Sequence, residues 1–251
     1  MEDSERAFLE SYDGRAFERP SVTADALLFT IEGGALRLAL VRRENPPFQG
    51  RWALPGTFVG MEETAEAAAA RALREKAGIE GVYMEQLYTF SEVARDPRMR
   101  VISVTYLAMA AKARLGGLRG ATLFEARLDG EALTLISPSG EALPEAALAF
   151  DHAGIVRTAL RRMAGKLEYT EIGFEFLEDK GRFTLPELCE IYTAVGARAY
   201  DFANFRRFIK KRYEENGRIA PTQQRLKKRG APAVVYRWAD GEDPTTTCEE
   251  A

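Results

Sequence analysis

The residues between positions 64 and 78 carry acids and cations on a single predicted helix, and these could act on a phosphorylated ligand. The alanine-rich run from Thr64 to Ala77, followed by Gly78, predicts a helix that ends at that glycine. Positions 72, 75 and 76 lie three and four residues apart, so they share one helix face. That face carries Ala72, Glu75 and Lys76. The lysine either contacts phosphate directly as a point charge or is a solvated lysine paired with a neighbouring acid.

A second candidate site is a basic segment near the C-terminus. Between Arg198 and Arg229, eleven Lys and Arg residues stand against three acids, which gives this segment a charge of +8. The remainder of the chain has a charge of −11. A basic block on an acidic chain suggests a site for a polyanion, and a solvated helix face is the alternative.

The basic segment contains signals for two consecutive helices. Thr184 and Glu187 form a capping box around a proline, and the helix that follows is expected to end at Gly196. Asp201 is a second N-cap, for a helix predicted from Phe202 to Tyr213. The face that we expect to be buried consists of Phe202, Phe205, Phe208 and Ile209. This pattern predicts a helix-turn-helix whose second helix can enter a major groove.

The residues after these helices predict a wing. A strand at 218–222, a basic turn at 224–230 and a returning strand at 233–238 would form it. Most phosphate contacts are expected from the basic residues of the second helix and the wing, and Asn204 lies near the helix start, where base edges are usually read. The predicted DNA-binding residues are Asn204, Arg206, Arg207, Lys210, Lys211, Arg225, Lys227, Lys228 and Arg229.

The first 150 residues predict a mixed α/β sandwich. Strand signals occur at 22–31, 35–42, 82–90 and 101–109, and a further hairpin is expected over 122–136 around Asp129-Gly130. Asp151 is expected to cap a helix that closes this part of the chain. The predicted division is a flexible tail at 1–18, an effector-binding domain at 19–165, a DNA-binding domain at 166–240 and a disordered tail at 241–251.

Composition places the chain among ordinary globular proteins of the cytoplasm. It has 251 residues, of which 46% are hydrophobic and 29% are charged, enough for two modest cores. Two cysteines do not make a disulfide framework, so a reducing compartment is expected. The acidic N-terminus lacks the apolar run of a secretory signal, and no apolar stretch is long enough to span a bilayer.

The segment from Trp52 to Ile79 resembles the Nudix box, whose pattern is G-x5-E-x7-R-E-U-x-E-E-x-G-U, where U is aliphatic. Glu63, Arg71, Leu73 and Glu75 stand on their expected positions, followed by Gly78 and Ile79. Thr57 replaces the first glycine, and Ala72 and Lys76 replace two glutamates that bind divalent metals in the family. The resemblance therefore implies a retained fold whose hydrolytic chemistry is lost and which needs no metal.

As a whole, residues 20–238 resemble the Nudix-related transcriptional repressors of NAD metabolism, the NrtR-type regulators. Besides the altered box, the resemblance rests on segments that occur in the order of the family, and these are residues 47–56, 95–98, 148–152, 166–169, 183–188 and 204–207. It implies a Nudix mixed α/β/α sandwich followed by a C-terminal winged helix-turn-helix domain. It also implies a homodimer that senses a nucleotide, typically ADP-ribose, and holds a double-stranded DNA operator.

The resemblance also indicates which residues bind the effector. The predicted set is Arg43, Trp52, Phe58, Glu63, Arg71, Glu75, Lys76, Arg95 and Arg98. Arg71 is expected to pair with Glu75 and serve structure, and Arg95 and Arg98 are expected to contact phosphate or ribose. Trp52 and Phe58 line the pocket or belong to the core. No catalytic or metal-binding residue and no required cofactor is predicted, and His152, the only histidine, is interpreted as a helix-start residue.

Three functions are compatible with these observations. The first is a transcriptional regulator, a repressor, in which a hydrolytically degenerate Nudix domain senses ADP-ribose or a related NAD-pathway nucleotide. The second is a Nudix pyrophosphatase with a divergent metal site that acts on a nucleoside diphosphate derivative and carries an accessory domain. The third is a nucleotide-binding partner protein whose basic surface binds another polyanion.

Overall fold

The computed structural model describes residues 3–227 and 232–239, and a mixed sheet of nine strands forms the centre of its N-terminal part. The strands are β1 (Ser21–Glu32), β2 (Ala35–Arg42), β3 (Trp52–Ala53), β4 (Gly56–Phe58), β5 (Tyr83–Phe90), β6 (Val101–Met109), β7 (Ala121–Asp129), β8 (Ala132–Ile136) and β9 (Ala142–Leu143). Their order is β5-β6-β1-β2-β7-β8-β9, with β3 paired to β2 and β4 paired to β1. Strands β1 and β6 run parallel, which confirms the predicted mixed α/β arrangement.

Helices cover both faces of this sheet. Those in the described residues are α1 (Asp3–Ser11), α2 (Ala65–Ala77), α3 (His152–Lys166), α4 (Leu185–Gly196) and α5 (Phe202–Ile209). Alternate residues of β1 point to opposite faces, as the period of a strand requires. Ala24, Ala26 and Leu28 pack against α2, whereas Leu27 and Phe29 belong to the core that contains α3. The small residues on the first face let the alanine-rich helix lie close to the sheet.

Local signals fix both ends of α2. The Thr64 side chain accepts a hydrogen bond from the Ala67 amide at 3.1 Å, which satisfies a free donor of the first turn. At the other end Gly78 has φ +69°, and its amide donates to the Arg74 carbonyl. The predicted helix is confirmed, and its two ends are set by these caps.

A smaller sheet and two helices form the C-terminal part. Its strands are β10 (Phe183–Thr184), β11 (Ile219–Leu226) and β12 (Ala233–Trp238), in the antiparallel order β10-β12-β11. The Thr184 hydroxyl accepts from the Glu187 amide at 3.3 Å, and the Asp201 carboxylate accepts from the Asn204 amide at 2.9 Å. Both predicted N-caps are therefore present, and the winged helix-turn-helix fold is confirmed.

Two boundaries in this part differ from the prediction. Helix α5 ends at Ile209, and one turn of π-helix (Lys210–Glu214) replaces the predicted last α-helical turn. Strand β11 extends to Leu226, because Arg225 pairs with Val234 on the returning strand. The predicted basic turn at 224–230 is correspondingly shorter, and its residues 228–230 lie outside the described part of the chain.

The buried face of α5 is narrower than predicted. Phe205 and Ile209 are buried and Phe208 packs against the core, whereas Phe202 is 43% exposed. Phe202 is the first residue of the helix, so it lies at the edge of the apolar stripe rather than over the core. The prediction that Phe202 is buried is wrong.

The N-terminal segment, which is predicted to be a flexible tail, contains a short helix. Residues 3–11 form α1, and a 3₁₀ turn follows at Gly14–Ala16. The apolar side chains Phe8, Leu9 and Tyr12 are exposed. The flexibility of residues 1–18 stays a prediction, and the predicted tail at 241–251 lies outside the described residues.

Helix α3 joins the two parts through a shared core. Its residues Leu160 and Met163, and Leu167 just after it, belong to one buried cluster that includes strands of the large sheet and Tyr192 of α4. At its C-terminal end, the Lys166 ammonium pairs with Glu85 of β5 at 2.5 Å. The predicted domain boundary at residue 165 thus falls within the last turn of a helix that packs on both sides.

Within the described ranges, no helix combines the length and the apolar character needed to cross a bilayer.

Candidate functional site

A cavity of about 680 Å³ opens where β1, β4, the end of α2 and the loop before β6 meet. Six of the predicted effector-binding residues line it, namely Arg43, Phe58, Glu75, Lys76, Arg95 and Arg98. The other three, which are Trp52, Glu63 and Arg71, are not among the lining residues. The altered box therefore forms one wall of the cavity.

Arg71 and Glu63 hold the loop before α2 in place. The Arg71 guanidinium binds both carboxylate oxygens of Glu63, at 2.6 and 3.2 Å, and donates to the Phe58 carbonyl at 3.1 Å. Its hydrogen bond lowers the pKa of Glu63, and the same contact raises the pKa of Arg71. Glu75, the predicted partner, is a second partner at 3.5 Å. The structural role that we predicted for Arg71 fits this geometry, with Glu63 as its nearer acid.

Lys76 directs its ammonium into the cavity. Although more than a third of the residue is exposed, the ammonium donates to the Gly56 carbonyl at the cavity wall. Burial lowers the pKa of Lys76, and the nearby charge of Asp25 opposes this shift. No ion pair of Lys76 occurs within 4 Å among the described residues. In the part of the chain that it describes, the structure thus shows no pairing of Lys76 with a neighbouring acid within this distance, which was the alternative interpretation.

Asp25 is a site residue that the sequence analysis missed. This carboxylate is 7% exposed, lines the cavity and accepts a hydrogen bond from the Ser103 hydroxyl at 2.5 Å. It also explains Gly56, because a Cβ at position 56 would collide with the carboxylate. The available signal was a single acid within the apolar run of β1, where a charge needs a specific reason to be buried.

The altered box retains fewer acidic residues than the metal-binding pattern. Ala72 is fully buried and offers no oxygen, and the ammonium of Lys76 occupies the wall next to Gly56. Glu63 and Glu75 both pair with Arg71. Among the described residues, no group of three or more His, Cys, Asp or Glu side chains is arranged to hold a metal ion.

The two arginines of the loop before β6 have different environments. Arg95 is almost fully buried and binds both oxygens of Asp151, at 2.8 and 2.9 Å. Arg98 lies at the rim, where Asp96 holds it at 2.8 Å and raises its pKa. Its guanidinium also lies 5.7 Å from the centre of the Phe58 ring. Arg98 can thus reach a ligand, whereas Arg95 connects the cavity wall to the start of α3.

Asp151 does not cap α3 as predicted. It occupies the N-cap position, but its side chain accepts no capping hydrogen bond, because Arg95 binds both carboxylate oxygens. The adjacent His152 is buried, and its Nδ1 accepts a hydrogen bond from the Leu54 amide at 3.0 Å. Burial lowers the pKa of His152, so the neutral ring serves as a structural acceptor. The interpretation of His152 as a helix-start residue does not include this hydrogen bond with the Leu54 amide.

Two aromatic residues beside the cavity have backbone angles that side chains seldom adopt. Phe48 has φ +62° and Phe150 has φ +51°, and their rings meet edge to face with centroids 4.8 Å apart. The Arg43 guanidinium lies 4.8 Å from the centre of the Phe150 ring, and burial lowers the pKa of Arg43. Such strain persists only where the surroundings enforce it, and it is concentrated at functional sites. Sequence analysis assigned no role to either phenylalanine.

Trp52 belongs to the core rather than to the cavity. Its ring packs edge to face on the buried Phe124, with centroids 4.8 Å apart, and Arg42 lies over it. Phe58, in contrast, is 41% exposed and lines the cavity. Of the two roles that the sequence left open, Trp52 therefore has the core role and Phe58 lines the cavity.

The predicted nucleic-acid surface lies on α5 and the wing. Asn204, Arg206, Arg207 and Lys211 are exposed, and so are Arg225 and Lys227 on the wing side. Lys210 is half-buried and pairs with Glu214 at 3.3 Å, so its charge is partly neutralised. The predicted residues Lys228 and Arg229 lie outside the described part of the chain.

Comparisons with known proteins cover both the cavity and the basic surface. The family model of the NUDIX domain matches residues 19–129. The chain is 33% identical over 239 residues to the "ADPR responsive transcriptional repressor NtrR" of Acinetobacter baylyi, covering 94% of this chain and 89% of that protein.

Two solved structures resemble the whole arrangement. A MutT/nudix family protein from Enterococcus faecalis has a TM-score of 0.75 at 25% identity, covering 95% of this chain and 93% of that one. NrtR of Shewanella oneidensis, in complex with a 27mer DNA, has a TM-score of 0.66 at 28% identity, covering 86% and 93% of the two chains. The similarity therefore extends through both the sandwich and the winged helix.

Proposed function

Because the chain belongs to the family of NrtR-type, Nudix-related transcriptional repressors, we propose that it is a DNA-binding repressor controlled by ADP-ribose. The single observation that carries this proposal is the similarity to an ADP-ribose-responsive repressor over 94% of the chain. The cation-lined cavity would bind the effector, and α5 with its wing would bind a double-stranded operator. The protein would work as a homodimer in the bacterial cytoplasm, without a membrane partner.

The cavity has the chemistry that a nucleoside diphosphate sugar requires. Lys76 supplies a cation at the wall, and Arg98 and Arg43 supply two more. Charge-assisted hydrogen bonds from such groups to phosphate are roughly twice as strong as neutral ones. The rings of Phe150 and Phe58 offer flat apolar surfaces beside these cations. We propose that the diphosphate lies against Lys76 and that the aromatic side of the cavity receives the base or a sugar.

The same residues support a pocket that binds without hydrolysing. In a Nudix hydrolase, divalent metals neutralise the pyrophosphate and activate water. Lys76 can supply positive charge but cannot lower the pKa of a bound water in the way that a metal does. Retention of the ligand is useful for a sensor, because a hydrolysed effector no longer reports its concentration.

A pyrophosphatase is the second candidate, favoured by the retained Glu63 and Glu75 of the box. Incubation with ADP-ribose and Mg²⁺ or Mn²⁺ distinguishes the two, because a hydrolase releases AMP. We expect no turnover above background. Turnover that depends on the metal and disappears in Glu75→Gln would establish the hydrolase and refute the non-hydrolysing pocket.

The central experiment is a gel shift with DNA from upstream of the chain's own neighbouring genes. We expect a specific shift that ADP-ribose weakens in the presence of a chelator, because allosteric coupling of this kind changes affinity by about 5- to 150-fold. Adenosine and ribose 5-phosphate added together provide a control without the diphosphate bridge. A shift that ADP-ribose leaves unchanged at saturating concentration would contradict the proposed control.

A separate prediction concerns the wing and the salt dependence of operator binding. Neutralising Lys227, Lys228 and Arg229 together should weaken operator binding and flatten its dependence on salt by about one unit of slope per lost phosphate contact. The measurement is the slope of log K against log salt concentration. A matched control neutralises three exposed arginines of the sandwich, Arg74, Arg114 and Arg127, with the same change of net charge. Equal slopes for the two variants would refute the wing as a phosphate-binding element.

A further inference from the structure

Asn204 and Arg207 form a pair on the exposed face of α5. They lie three residues apart, so they are neighbours on the helix surface, and the Arg207 guanidinium donates a hydrogen bond to the Asn204 side-chain oxygen. A guanidinium has donors only, so the oxygen of the amide must face it and the NH₂ group must face away. The Asn204 backbone is itself fixed, because its amide donates to the Asp201 carboxylate at 2.9 Å.

This pairing limits what Asn204 can recognise. An asparagine that reads adenine uses its oxygen to accept from N6 and its NH₂ group to donate to N7. Here Arg207 uses one of the two lone pairs of this oxygen and holds the orientation of the amide, so a two-bond contact with adenine has to share the oxygen with Arg207. Asn204 is therefore better suited to positioning its neighbour than to reading a base.

Arg207 keeps the donors that guanine requires. One of its five donors binds Asn204, and the remaining N–H groups can meet O6 and N7 of a guanine, which is the commonest specific contact in the major groove. One turn before it on the same face lies Ala203, whose small side chain leaves space for the helix to approach the floor of the groove. Both residues are exposed.

The cationic neighbours of Arg207 on α5 are suited to phosphate contacts rather than to base recognition. Arg206 and Lys211 are exposed and flank the same face, and the structure describes no hydrogen bond or ion pair within 4 Å that orients either side chain. Long, unanchored cations suit phosphate contacts, which tolerate variation in geometry. An arginine held by a neighbouring amide has already lost rotamer freedom, which favours a contact with strict geometry.

We propose that Arg207 reads one guanine in each half of the operator and that Asn204 is the residue that positions it. The inference rests on the proposed function, since it requires α5 to enter the major groove. It assigns base recognition to one side chain of the basic surface and leaves the phosphate contacts to the others.

The test begins with DNA selected by the wild-type protein from a random-sequence pool. Each guanine of the selected site is then replaced singly by 7-deazaguanine, which lacks the N7 acceptor and keeps the base pair. We expect one position per half-site to lose about 10- to 100-fold in affinity, the effect of one hydrogen bond to a charged donor. Arg207→Ala should bind more weakly and show no further loss at that position.

Variants of Asn204 test the positioning role. Asn204→Ala should reduce the sensitivity to 7-deazaguanine at that position while leaving the salt slope unchanged. Asn204→Asp keeps the acceptor for Arg207, so it should retain the sensitivity even though its charge lowers overall affinity. Equal sensitivity in Asn204→Ala and the wild type would refute the positioning role.

Other outcomes overturn the assignment to guanine. Equal sensitivity of the wild type and Arg207→Ala at every guanine would make Arg207 a phosphate contact. Sensitivity to 7-deazaadenine that disappears in Asn204→Ala would make Asn204 an adenine reader. If no specific DNA is selected at all, the proposed function itself fails, which is distinguishable from specific binding that ignores Arg207.

Discussion

Replacing Lys76 by glutamate is expected to weaken ADP-ribose binding by about 100-fold or more. The variant removes a charge-assisted contact of about 1.5–3 kcal/mol and adds repulsion between an anion and the diphosphate. The new carboxylate would also face Asp25, which is buried on the same wall. Each 1.4 kcal/mol corresponds to a factor of ten in affinity. Calorimetric titration in the presence of a chelator measures the effect directly.

Arg74→Glu is the matched control for this variant. Arg74 lies on the same helix, is more than half exposed and pairs only loosely with Glu80 at 3.8 Å. It makes the same change of net charge away from the cavity, so affinity should change by less than about threefold, as expected for a screened surface charge. Lys76→Met isolates loss of the cation from added repulsion and should lie between the wild type and Lys76→Glu. Similar affinities for Lys76→Glu and Arg74→Glu would show that the ligand does not contact Lys76.

Phe205→Ala is expected to lower the free energy of unfolding by about 3–5 kcal/mol, the range for removing a buried phenylalanine. Phe205 is 2% exposed, and its ring packs edge to face against Tyr192 and Tyr200, with centroids 5.1 and 5.7 Å apart. The cavity left behind would lie between α4 and α5, so DNA affinity should fall together with stability. Urea denaturation followed by fluorescence provides the measurement.

Phe202→Ala removes the same side chain three residues earlier and serves as the control. Because Phe202 is 43% exposed, the free energy of unfolding should change by about 0.5 kcal/mol, as for most surface substitutions. Losses of equal size in the two variants would mean that the face of α5 in contact with the core has been misassigned.

The elements that were predicted correctly depend on local signals. Thr64, Thr184 and Asp201 cap helices that begin where the sequence places them, because capping involves residues only three positions away. The limits of α2 and the hairpin of β7 and β8 likewise follow from nearby glycines and from periodicity. Local signals also indicated the mixed α/β sandwich and the winged helix, and the resemblance to a family added the α/β/α layering of the sandwich.

The residues that were missed or misassigned depend on contacts that are distant in sequence. Asp151 looked like a cap, but it is bound by Arg95, 56 residues earlier in the chain. Asp25 became a site residue only when Gly56 and Ser103 were placed beside it. Phe202 satisfied helical periodicity, and its exposure is decided by how α5 lies on α4. A single sequence does not show which residues that are distant along the chain come into contact.

The shared core around α3 limits how freely the two halves of this protein can be recombined. Leu160, Met163 and Leu167 fill space that both the large sheet and α4 enclose, so residues of both halves form this one buried cluster. A chimera joined at residue 165 would expose that surface on both fragments. A graft that moves this DNA-binding part onto another sensor must therefore carry α3 and a matching sheet face with it.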